Sequence, residues 1–81
     1  MDALAGLLQR AMSRRGLSAE AVAARTGIRT PRIKAFGEDG ATGPVRPTEE
    51  ELSALATLLS LPTAEVLVAA GTHVVGHERT R

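Results

Sequence analysis

Within ten residues, GIRTPRIKAF (Gly27 to Phe36), this chain gathers four side chains able to hold an anion: Arg29, Thr30, Arg32 and Lys34. Guanidinium and ammonium groups pair with phosphate or carboxylate, and a hydroxyl at a helix start adds a donor where the dipole already favours negative charge. Ile33 and Phe36 lie three apart among them, and Pro31 interrupts the run. The stretch is therefore either a basic surface loop or the start of a helix that buries Ile33 and Phe36 and turns its polar residues outward. Other chemistry is poorly supplied. Ser13, Ser18, Ser53 and Ser60 have no histidine base in a defensible helix register, so no activated nucleophile is expected. His73 and His77 have a spacing at which a helix can share a metal, but Gly71 and Gly76 argue against a helix there and no third ligand is placed to complete a site. Phe36 is the only aromatic residue, so recognition of single strands or RNA by base stacking lacks its tools. The expectation is no enzyme, no metal and no cofactor.

Composition narrows the partners. A chain of 81 residues is one small domain with one modest core, without room for a cleft between two lobes. It has no cysteine, which excludes disulfides and thiolate metal sites. Its apolar runs are short and broken by charges, so neither a membrane span nor a signal-peptide core is expected, and a cytoplasmic location is the default. The net charge is only +1, but up to Pro47 there are eight basic residues against four acidic ones, and beyond it two against five. An anionic partner is expected on the front half.

Periodicity and cap chemistry predict the elements that must hold the basic stretch. Leu4, Leu7, Leu8, Ala11 and Met12 share one face of a first helix, which ends at Gly16 after Arg14 and Arg15. Ser18 is expected to cap a second helix that runs to Thr26 and closes at Gly27. Thr30 followed by Pro31 predicts a third helix starting there, about 30–37, with Gly37 ending it and GEDGATGPVRP (37–47) as a loop. Thr48 with Glu51 forms a T-x-x-E capping box ahead of Leu52, Leu55, Ala56 and Leu59 in a fourth helix. Pro62 and Gly71 bracket a fifth, which buries Val66 and Leu67. Residues 72–81 are read as a tail behind a domain of 1–71.

In the middle of the chain Ala23, Gly27, Ile33 and Phe36 each have a reason for their type. Steeply crossing helices need a small residue where backbones approach, the tight turn needs positive φ, and two apolar residues must pin the second helix. That is a helix-turn-helix. GLSAEAVAARTGIRTPRIKAF resembles the core of the phage Cro and repressor (Xre-like) DNA-binding family, and EELSALATLLSLPTAEVL is similar to the family's fourth and fifth helices. The resemblance covers about residues 4–71. It implies an all-α, five-helix, lambda-repressor-like domain whose third helix lies in the major groove. By position it implies Arg29 and Thr30 at the start of that helix, Pro31 and Lys34 reading bases, and Arg46 on backbone phosphate. Arg32 is expected to project outward beside Lys34, with Arg14 or Arg15 and Arg25 as further phosphate contacts. The sequence departs from the family at Ala19, Ala35 and Gly37, and Glu38 and Asp39 fall near the expected DNA side.

The expected function is sequence-preferring binding of double-stranded DNA in transcription control, at the nucleoid and as a homodimer. The dimer surface is expected either on helix 5 (Leu67, Val68) or in the tail (Val74, Val75). Two alternatives stand beside it: a protein-interaction or antitoxin-like adaptor on the same fold, and a small nucleoid-associated protein that binds DNA broadly.

Overall fold

A computed structural model describes residues 3–71, which form five helices: α1 (Ala3–Arg15), α2 (Ala19–Thr26), α3 (Thr30–Asp39), α4 (Glu49–Leu59) and α5 (Thr63–Ala70). The fold is all-α, with no strand among the described residues. The predicted caps form. Ser18 accepts from the Ala21 amide at 3.1 Å, and Gly27 takes the left-handed conformation (φ 80°) with its N–H on the Ala23 carbonyl. Thr48 and Glu51 close the capping box in both directions. Gly71 ends α5, again left-handed. One stop was not foreseen: α4 ends on Ser60, whose φ of 58° is the only positive value at a non-glycine residue among those described.

Helix α3 differs most from expectation. Gly37 does not end it; the helix runs on through Glu38 and Asp39 to Gly40, whose N–H bonds the Phe36 carbonyl. A single glycine lowers helix propensity by about 1 kcal/mol, which packing on both sides of α3 outweighs. The start falls at Thr30, as expected. Arg29 is the N-cap residue and supplies no side-chain cap, so Thr30 is already helical and Pro31 follows in the first turn. The loop between α3 and α4 is correspondingly shorter than expected, and it turns back on itself to bury Gly40 and Ala41.

The core joins all five helices. Leu4, Leu8, Val22, Ile33, Phe36, Leu52, Leu55, Leu59 and Val66 are each 3 % exposed or less. Helix α1 is more deeply placed than its apolar stripe implied, because α3, α4 and α5 all pack on it and Ala5 and Gly6 are buried along with the leucines. Helix α2 packs on α3 and α4, and Ile28 in the turn joins the core. Leu67, expected in the core, is half-buried at its edge. The tail, with Val74, Val75, His73 and His77, lies outside the described residues.

Candidate functional site

Ile33 and Phe36, three residues apart, set the orientation of α3, since both are buried against the core. The opposite side then faces outward: Pro31, Lys34 and Glu38 are exposed, with Thr30 and Ala35 half-buried beside them. Thr30 and Lys34, four apart, share this outward face, and Arg29 stands exposed at its N-terminal end. The helix start offers fewer free amides than a regular N-terminus. Pro31 has none, and the amides of Arg32 and Ile33 both bond the Arg29 carbonyl, at 2.9 and 3.1 Å. An anion there would meet the Arg29 guanidinium, the Thr30 hydroxyl and the Thr30 N–H.

Arg32 does not project freely as the sequence led us to expect. Its Nε and Nη2 donate to the two carboxylate oxygens of Glu51, each at 2.8 Å, and Nη2 also donates to the Arg46 carbonyl at 3.1 Å. The guanidinium carbon lies 5.4 Å from the centre of the Phe36 ring. Fork-to-fork pairing of this kind fixes both groups in one plane. It holds the Glu51 carboxyl below the ordinary carboxylate range, helped by the Thr48 amide and opposed by partial burial, and it raises the already high Arg32 value. The physical reason for the correction is Glu51. Its place in the capping box brings a carboxylate to the side of α3, and a charge-assisted pair forms in preference to an open cation.

Lys34 is exposed, with Nζ 3.6 Å from the Glu20 carboxylate at the start of α2; both side chains are more than half exposed, so the pair is weak and salt-screened. Arg14 and Arg25 lie exposed in the last turns of α1 and α2, where cations also complement the dipole. Arg15 donates to the Ser60 hydroxyl at 3.3 Å and so links α1 to the end of α4. Arg46 is exposed, and its guanidinium has no hydrogen-bond or ion-pair partner among the described residues. Arg29, Thr30, Lys34 and Arg46 thus lie on or next to α3, whereas Arg14 and Arg25 belong to other helix ends. Against this basic set stand Glu38 and Asp39, exposed in the last turn of α3, where the helix dipole disfavours them.

Sequence reasoning missed the Arg32–Glu51 link and a second tie, in which the Gln9 side-chain amide of α1 donates to the Gly37 carbonyl of α3. Nothing in local spacing marks either one, because the partners are 19 and 28 residues apart. Searches against family models, curated proteins and solved structures found no match for the chain. The likeness to the repressor family therefore rests on the residues themselves.

Proposed function

We propose that this chain is a small regulator that binds double-stranded DNA as a homodimer in transcription control, with α2 and α3 as a helix-turn-helix and α3 in the major groove. The observation that carries the reading is the two-sidedness of α3. Ile33 and Phe36 anchor it from behind, Arg29, Thr30 and Lys34 line the front, and Arg46, exposed and with its guanidinium unpaired among the described residues, is tied to α3 through its carbonyl. In this reading Lys34 and Thr30 contribute to sequence preference, and Arg29, Arg46, Arg25 and Arg14 hold phosphate. Arg32 leaves the contact set. The proposed dimer surface is α5, where Val68 is 53 % exposed.

A second reading is a protein-interaction adaptor on the same fold. It is favoured by Glu38, Asp39 and Glu20, which place negative charge on or beside the face that would meet phosphate. Binding of the purified chain to random and to selected duplexes over a salt series separates these readings. Sequence-preferring binding supports the regulator, and a steep salt slope without preference supports a broad nucleoid-associated protein. No binding at low salt sinks both and leaves the adaptor. Within the regulator reading, Lys34→Ala alters sequence preference, whereas Arg46→Ala weakens all duplexes alike and flattens the salt slope by about one unit. Full affinity in Arg46→Ala would exclude the proposed docking.

A further inference from the structure

We infer that Arg32 is a positioning residue: it fixes the Arg46 loop against α3, so that the contact surface is one unit made of a helix and a loop. The inference rests on the DNA reading above and concerns how its surface is built.

Arg46, Pro47 and Thr48 lead into α4, and the main chain is held on both sides of the proline. Arg32 Nη2 donates to the Arg46 carbonyl at 3.1 Å, while the Thr48 N–H donates to the Glu51 carboxylate at 2.9 Å. The same carboxylate takes both remaining bonds of the Arg32 fork. Pro47 contributes a φ confined by its ring, so little freedom remains between the two held points. The root of the Arg46 side chain is thereby tied to α3. The guanidinium that does the tying is itself located by the fully buried Phe36 ring beneath it. A connected path runs from the core, through Phe36 and Arg32, to the main chain of Arg46, whose own cation is exposed and has no partner among the described residues.

The fork is what this arrangement needs, and charge alone does not supply it. Lysine carries the same charge but cannot span two carboxylate oxygens in a plane while reaching a carbonyl beside them. Arg32→Lys therefore separates positioning from direct contact with DNA. Glu51→Asp does so from the other side, since it keeps the charge and shortens the arm.

The test uses the full chain and a random-sequence duplex over a salt series, with wild type, Arg32→Lys, Arg46→Ala and the double variant. Circular dichroism confirms the fold at the assay temperature. If Arg32→Lys does not fold, Glu51→Asp replaces it in the same cycle. Arg46→Ala is expected to flatten the salt slope by about one unit. Arg32→Lys should flatten it nearly as much despite unchanged charge, and the double variant should add nothing to Arg46→Ala. In the DNA-free protein, Arg32→Lys should also speed hydrogen exchange at the Thr48 amide. Loosening of that amide alone, with the salt slope unchanged, would make the link merely structural and overturn the inference. An additive double variant would overturn it too, by making Arg32 an independent contact. Absence of duplex binding by the wild type at low salt would overturn the DNA reading itself, and that result is seen without any variant.

Discussion

Glu51 carries more than its place in a capping box requires. One carboxylate satisfies the Thr48 amide and both arms of Arg32, so its charged form is favoured in the folded chain and its pKa is held below the ordinary range. When the folded value lies below the unfolded one, the stabilisation is complete above the unfolded value, about 4.3 for glutamate, and disappears as pH falls through the folded value. Glu51→Gln removes this contribution. Thermal unfolding of the two proteins should differ most at neutral pH and converge in acid, and a difference independent of pH would refute the account. Glu20 makes a residue-scale prediction of the opposite kind. It partly neutralises Lys34, so Glu20→Gln should tighten duplex binding modestly, by the worth of one screened surface pair, about 0.2–1 kcal/mol. Unchanged or weaker binding in a titration at low salt would mean that Lys34 does not face the DNA.

At the scale of elements, two glycines have opposite roles that the sequence alone does not distinguish. Gly27 sits at φ 80° in the turn between α2 and α3, a conformation other residues adopt at a cost. Gly27→Ala should destabilise the domain by about 1 kcal/mol. Gly37 was expected to end α3, yet it lies inside the helix, and a Cβ built there meets nothing within 4 Å. Gly37→Ala should therefore stabilise, by about 0.5–1 kcal/mol, through helix propensity and a less flexible unfolded chain. For a domain this small, that amounts to a rise of several degrees in Tm, on the order of 4–8 °C per kcal/mol. A fall in Tm would show that the added methyl group strains α3. The pair explains why caps were legible and this interior position was not. Gly16, Gly27 and Gly71 follow helices whose apolar stripe has already run out, whereas Gly37 follows Phe36 at a point where only contacts from α1 and α2 decide whether the helix continues.

Across the whole molecule, Phe36 is the shared part. It is fully buried in the core, and it also underlies the guanidinium that joins α3 to the loop. Phe36→Ala should cost about 3–5 kcal/mol, against a total stability of about 4–12 kcal/mol for a chain of this length. Loss of cooperative thermal unfolding by circular dichroism would be the sign, and an intact transition at an unchanged midpoint would contradict the packing described. No helix among the described residues is long and apolar enough to cross a membrane. The sequence by itself determined the five helices, most of their caps and the inward pair Ile33 and Phe36, because hydrophobic period, cap hydroxyls, proline and glycine all act within one or two turns. Tertiary structure alone decided the length of α3, the burial of Ala5 and Gly6, and the fate of Arg32. Each of these depends on partners from distant parts of the chain. From the sequence Arg32 is one of three cations in its stretch, and only the tertiary fold, which brings the start of α4 within reach of its side chain, gives it Glu51 and the Arg46 carbonyl.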